Sequence, residues 1–398
     1  MKKKKFYWKV AIIFIIHLFI FFSPMALPTN RVLCDGAQSS YEEKLNESIY
    51  ELLDKLDVSA LQAYIDTLDF STVGNVSQRL IEWIKGTPFD YENFGKQILD
   101  VLLKNIREII PPFACIAAIA LLSGLIASLR GGTMASTTAD MIYFISYVAA
   151  LIPLIAVLVE CFEKTVGGMQ AMQTQMQLIY PIMLTLMATS GGTITVSVCQ
   201  PAVAFFSTSI VSLMTKIVLP IAVTIIAFSM ASNLSKELKI NKFTAFFKSI
   251  NKWLIGMSIS VFGLFFTMQG ITVSTYDGIA RRAAKYAIGT GIPIVGGFLS
   301  GGFDLAVAGS ILIKNSLGSM SVLLLVSVLF EPLLLLLAVN FLLRFTSAIT
   351  QPLSDGKISD FLGETADNLH YCSATLLFTA FLYFLSIVLL VTATEAML

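Results

Sequence analysis

Residues 180–192 read Tyr-Pro-Ile-Met-Leu-Thr-Leu-Met-Ala-Thr-Ser-Gly-Gly, and the fold class turns on how that run is understood. Its composition is apolar enough for a bilayer, but its punctuation is wrong for a plain span. Pro181 has no backbone N–H and disturbs a helix interior, while Gly191 and Gly192 loosen or end one. The apolar stretch between them is shorter than the about 20 residues a crossing needs. A second stretch of the same kind runs Gly291-Ile292-Pro293-Ile294-Val295-Gly296-Gly297, with Gly301-Gly302 after it. Two interrupted apolar segments in corresponding places point to a transport or channel core.

Working outward, the surrounding chain agrees with a membrane setting. Hydrophobic residues make up 56% and charged residues 13% of the 398 positions, against about 25% charged in an ordinary soluble domain. The fold class is therefore all-α: a polytopic transmembrane helical protein with two broken or re-entrant elements. Lys2 to Lys5 precede the apolar run Val10 to Phe22, the layout of a secretory signal peptide, assigned to residues 1–30. A lipoprotein site at Cys34 is disfavoured by the bulk of Leu33 before it, and an uncleaved signal anchor is the alternative.

Residues 35–107 form the long polar region, expected to be an extracytoplasmic helical domain because it follows the signal. Acidic side chains outnumber basic ones there. Leu45, Ile49, Leu52, Leu53 and Leu56 recur at helical spacing, Ser71 and Asp90 are candidate N-caps, and Gly86-Thr87-Pro88 is a break. Such a domain serves either as a docking module for a partner or as a small cap.

Residues 108–398 form the polytopic membrane domain, with about six full spans and two broken elements. Spans are expected at Pro111–Leu129, Met141–Val159, Ile217–Ala231, Trp253–Val273, Met320–Leu343 (interrupted at Glu331-Pro332) and Tyr371–Thr392. The broken elements are Gln177–Met214, interrupted at Thr189–Gly192 and at Gln200-Pro201, and Ala287–Ile313. An internal repeat emerges. Pro181 and Pro293, and likewise Pro220 and Pro332, are separated by 112 residues, which gives repeat units at about 141–250 and 253–362. The lysines Lys236 to Lys252 argue for a cytoplasmic link. Arg281, Arg282 and Lys285 oppose that orientation unless their helix lies in the headgroup layer.

Asp304, Lys314 and Glu331 are the ionisable residues expected at membrane depth, where charge faces a cavity or a partner. They read either as the lining of a polar pathway or as an internal pair, Glu331 with Lys314 or with the Arg281–Lys285 helix. The methionines Met169 to Met187 read as adaptable packing rather than a metal path. His17 and His370 are the only histidines and the five cysteines are scattered. Zinc sites and Cys–His or Ser–His–Asp nucleophiles therefore have little raw material, and no enzyme, cofactor or metal is assigned. Asp277 and Asp304 faintly echo a paired-aspartate intramembrane protease, but Phe303 stands where that motif needs glycine.

Several of these runs resemble the stage III sporulation protein AE family. They are Leu186-Met187-Ala188-Thr189-Ser190-Gly191-Gly192, Gln269-Gly270, Asp277-Gly278-Ile279-Ala280-Arg281-Arg282-Ala283-Ala284-Lys285, Ile292-Pro293-Ile294-Val295-Gly296, Ser310-Ile311-Leu312-Ile313-Lys314-Asn315 and Gln351-Pro352-Leu353. The resemblance runs from about Pro111 to the C-terminus. It implies a component of the mother cell–forespore channel complex, set in the mother-cell membrane around the forespore. Its implied partners are the other stage III sporulation A proteins, a separate cytoplasmic ATPase among them, the forespore's stage II protein Q indirectly, and lipid, with no nucleic acid. No catalytic residue comes with it. The competing reading is a stand-alone secondary transporter built on the two repeats. Candidate pathway or packing residues are Pro181, Gly191, Gly192, Asp277, Arg281, Arg282, Lys285, Pro293, Asp304, Lys314, Glu331 and Pro332.

Overall fold

Gly191 is the residue that ends the helix holding the opening stretch. Its φ is +90°, the left-handed region that only glycine enters without strain. Gly191 N–H donates to Ala188 O at 3.1 Å and Gly192 N–H to Met187 O at 2.9 Å, the paired bonds of a Schellman terminus. Gly191→Ala is expected to cost about 1–2 kcal/mol through backbone strain, and Gly192→Ala less. Thermal unfolding of the two variants in detergent checks the order.

The computed structural model describes residues 38–68, 75–87, 90–128, 136–234, 240–264, 286, 296–352 and 357–395, and every regular element among them is helical. The signal region, Cys34, Asp277, Arg281, Arg282, Lys285 and Pro293 lie outside the described residues.

Three short helices come first: α1 (Gln38–Lys55), α2 (Ser59–Asp66) and α3 (Val76–Ile84). Asn75 caps α3, its side chain accepting from Gln78 N–H at 3.1 Å; Ser71 is outside the described residues. Gly86, at φ +83°, closes α3. Asp90 accepts from Asn93 N–H at 3.0 Å and so starts the next helix.

That helix, α4 (Tyr91–Ser128), runs unbroken through Pro111-Pro112 and across the expected domain limit at 107. Five long elements follow α3 and α4: α5 (Ser136–Thr189), α6 (193–234), α7 (241–264), α8 (Gly296–Thr350) and α9 (Lys357–Glu395). Five stretches of the described residues are long and apolar enough to cross a bilayer, one each in α4, α5, α6, α8 and α9. The chain is a multi-pass membrane protein.

Several expected interruptions are absent. Pro181 sits inside α5 and Pro332 inside α8, so neither breaks its helix, and Glu331-Pro332 does not divide a span. Gly301-Gly302 also lies within α8, which is continuous from Gly296. Gln200-Pro201 is helical too. A proline inside a long helix removes one bond and crowds the carbonyl four residues back, and packing against neighbouring helices absorbs that cost. The irregularity in α6 falls further on, as π-helical turns at Phe206–Ile210 and Met214–Val218. Pro220 leaves the Lys216 carbonyl without its usual donor, and Lys216 lies in the second of these turns.

Side-chain bonds fix how the long helices lie. Thr189 Oγ1 is 2.9 Å from Ser310 Oγ, Gln175 donates to Leu324 O at 3.1 Å, and Lys164 meets Glu331 at 2.5 Å. Positions rise along α5 as they fall along α8, so the two are antiparallel. Lys314 to Val391 O (2.7 Å) and Asn340 to Ala366 O (2.6 Å) make α9 antiparallel to α8. Tyr147 reaches Met230 O at 2.6 Å, so α5 and α6 form a hairpin with its tip at Ser190–Gly192.

At 54 residues, α5 extends about 80 Å at 1.5 Å per residue, far beyond the about 30 Å hydrocarbon core. Its surface divides in two. From Met141 to Val159 the exposed residues are apolar, among them Phe144, Ile145, Ile152 and Ile155. Beyond that the outward positions are Glu163, Lys164, Gly167, Gln170, Thr174, Gln177, Pro181 and Thr185. The apolar length is about 27 Å, one bilayer core. Leu122 and Leu125 on α4 and Phe341, Phe345 and Ile349 on α8 are exposed at the same height.

The polar half of the bundle is where α1–α3 pack. A Cβ on Gly309 of α8 would meet Leu52 at 3.2 Å and Ile49 at 3.5 Å, both of α1. Tyr64 of α2 accepts from Gln175 at 3.3 Å and lies 3.5 Å from Ala171 O. Burial holds the Tyr64 phenol above its ordinary pKa, so it stays neutral. The apolar stripe Leu45–Leu56 is therefore spent on the chain's own α8 rather than held open for a partner.

Candidate functional site: a charged collar and a polar seam

Where the apolar belt ends, ionisable side chains gather. Lys164 pairs with Glu331, each about half exposed, and Glu108 and Glu160 lie within electrostatic reach of Lys164. Arg107 and Glu163 are exposed at the same height, as is Lys216 on α6 by the register of the hairpin. These residues form a collar, the composition expected where helices leave lipid. Glu331 thus has a partner that the sequence did not suggest, Lys164, while Lys314 is bonded to Val391 O and the Arg281–Lys285 segment lies outside the described residues. Exposed pairs contribute about 0–1 kcal/mol. Glu331→Gln is accordingly expected to leave accumulation and spore yield close to the unaltered protein's, as scored by immunoblot and heat-resistant counts.

The other candidates among the described residues have these settings. Pro332 seats its ring against Gly168, where a Cβ would stand 2.9 Å from the ring carbon. Pro181 is on the exposed face of the polar half, with its carbonyl accepting from Thr185 at 2.9 Å. Asp304 is helical and partly exposed. Lys314 is 1% exposed and donates to the Val391 carbonyl near the end of α9, where a cation complements the helix terminus. Tyr180 is buried edge-on against Tyr383, centroids 6.1 Å apart.

A second polar group, not anticipated, lies in the apolar half. Arg344 of α8 donates from Nη2 to Asp367 of α9 at 2.7 Å and from Nε to Asn340 at 3.0 Å. Glu364 of α9 accepts from Ser229 at 3.0 Å and Asn233 at 2.8 Å, both of α6. Ser347 and Ser359 exchange bonds of 2.8 Å between α8 and α9. Arg344 is thirteen residues beyond Glu331, about 20 Å further down the helix, between the exposed Phe341 and Phe345. Arg344 and Asp367 keep 46% and 48% of their side-chain surface open.

Charged groups at that depth cost about 2.5–3.5 kcal/mol on insertion scales and turn toward water or protein. The α6–α8–α9 seam is therefore a hydrophilic stripe in an otherwise lipid-compatible belt. Among the described residues, no group of three or more His, Cys, Asp or Glu is placed to hold a metal ion.

Comparison with known proteins matches residues 75–394 to the family model described as stage III sporulation protein AE. The chain belongs to the stage III sporulation protein AE family. It is similar to the stage III sporulation protein AE of Bacillus subtilis (strain 168), 24% identical over 265 residues, 67% of this chain and 66% of that relative. No solved structure matches. The family match begins at the cap of α3 and takes in both collar and seam. α1, which packs on α8, and α2, which packs on α5, precede the matched residues.

Proposed function

We propose that this chain is a membrane component of the mother cell–forespore channel complex, with the α6–α8–α9 seam contributing to its hydrophilic passage. The seam is the observation that carries the reading, since an exposed Arg344–Asp367 pair among lipid-facing phenylalanines needs water or a protein neighbour. The polar half with α1–α3 is assigned to the space between the two membranes. The lysines of α7 and the α8–α9 turn are assigned to the mother-cell cytoplasm, in keeping with positive charge inside. Partners are the other stage III sporulation A proteins, with energy coming from their separate ATPase.

Affinity purification from sporulating cells tests this. The expected result is co-isolation of the other stage III A proteins, weakened by Arg344→Ala together with Glu364→Ala. Isolation of the chain alone, with solute transport by the pure protein in liposomes, overturns the reading in favour of a stand-alone transporter.

A further inference from the structure

α7 is built inside out relative to a helix on a water-soluble protein. It buries Thr244, Asn251 and Ser258 at heptad spacing along with Phe262, and Phe247, Leu254 and Ile255 are partly buried beside them. Those it exposes include Phe243, Phe246, Trp253, Met257 and Leu264. Small and polar residues at the helix contact with apolar residues outward is the arrangement of helices packed in lipid, where closeness rather than hydrophobicity drives contact. Charge is distributed along α7 just as unevenly. Lys242, Lys248 and Lys252 fall in its first half, and no ionisable residue follows from Trp253 to Leu264.

The boundary between the halves is Lys252-Trp253. Trp253 is 64% exposed, and an indole next to a lysine marks the headgroup level. Lys242 and Lys252 are exposed and Lys248 is partly so, and none of the three has an ion-pair partner among the described residues. Phe243 and Phe246 stand between them, able to enter the acyl boundary while the ammonium groups stay in the headgroup layer.

We propose that the first half of α7 is a docking surface for anionic phospholipid headgroups, with Lys242, Lys248 and Lys252 receiving the phosphates and Phe246 and Trp253 seating the helix in the acyl boundary. It stands independently of any role in a channel. It would hold α7, and through Phe247 against Phe228 (centroids 5.5 Å apart) the end of α6, at a fixed depth in an acidic leaflet.

Trp253 is its own reporter. The full chain with Trp8 and Trp83 replaced by phenylalanine is reconstituted in phosphatidylcholine–phosphatidylglycerol vesicles, with one lipid or the other brominated at equal mole fraction. Brominated phosphatidylglycerol should quench Trp253 more than brominated phosphatidylcholine, approaching the about fivefold local enrichment that one engaged lysine supplies. The excess should vanish at high salt and in the Lys242→Gln, Lys248→Gln, Lys252→Gln variant, with its circular dichroism unchanged. Equal quenching by the two lipids, no quenching by either, or an excess that survives the triple substitution each overturns the proposal. None of those results depends on whether the chain joins a complex.

Discussion

Gly318→Leu is expected to remove the protein from the membrane fraction and abolish spore formation. Gly318 is a close approach of α8 to α9: a Cβ there would fall inside the contact distance of Val391 Cγ2, with Met183 and Ile387 behind it. Lys314, one turn earlier, ties its ammonium to the Val391 carbonyl, so the end of α9 cannot swing aside without baring a buried charge. Overpacking of a close core typically costs about 1–3 kcal/mol. Here the loss of the Lys314 bond adds to it, which leaves little of a marginal stability. Gly302→Leu is the matched control, because nothing stands within 4 Å of a Cβ at that position. Immunoblots of membrane fractions and heat-resistant spore counts should separate the two substitutions clearly.

Arg344→Ala is expected to lower spore yield by at least an order of magnitude while the protein still accumulates. The substitution leaves the Asp367 carboxylate at belt height without its guanidinium, and Asn340 loses the donor to its side-chain oxygen. The pair is half-exposed, so the cost is below the about 3–5 kcal/mol of breaking a fully buried one, and folding survives. Arg344→Asp combined with Asp367→Arg restores the pair with its polarity reversed. Recovery of accumulation without recovery of spores would mean that the sign of charge along the seam matters, as a passage requires. Recovery of both would assign the pair to packing.

The two predictions draw on features that were unequally visible in the sequence. The Gly191 terminus was legible, because only glycine takes a positive φ cheaply and a Gly-Gly pair after an apolar run announces it. The prolines misled. Pro181, Pro201 and Pro332 each suggest a break to a reader of one dimension, but each lies inside a helix that continues past it, and Pro332 packs its ring against Gly168. The polytopic helical class followed from composition alone.

Neither the collar nor the seam could be read. Lys164 and Glu331 are 167 positions apart, and only the antiparallel register of α5 and α8 brings them together. Arg344, Glu364 and Asp367 fall in a stretch polar enough to look like a connecting link, yet α8 and α9 carry them into the belt. The deepest revision concerns residues 180–192. Most of them are buried in a core shared by α5, α8 and α9, and the exposed faces of the bundle argue for a place beside the belt rather than in it.

That placement is the claim on which the rest depends, and cysteine accessibility measures it directly. With the five native cysteines replaced by serine, single cysteines at the exposed positions Gln177, Thr185 and Ile152 are challenged with a membrane-impermeant maleimide on the exported side of sealed membranes. Labelling at Gln177 and Thr185, with Ile152 protected until detergent is added, is the predicted outcome. Protection of Gln177 and Thr185 in sealed membranes, matched by labelling at Ile152, would place the bilayer on the other half of the bundle and contradict the account.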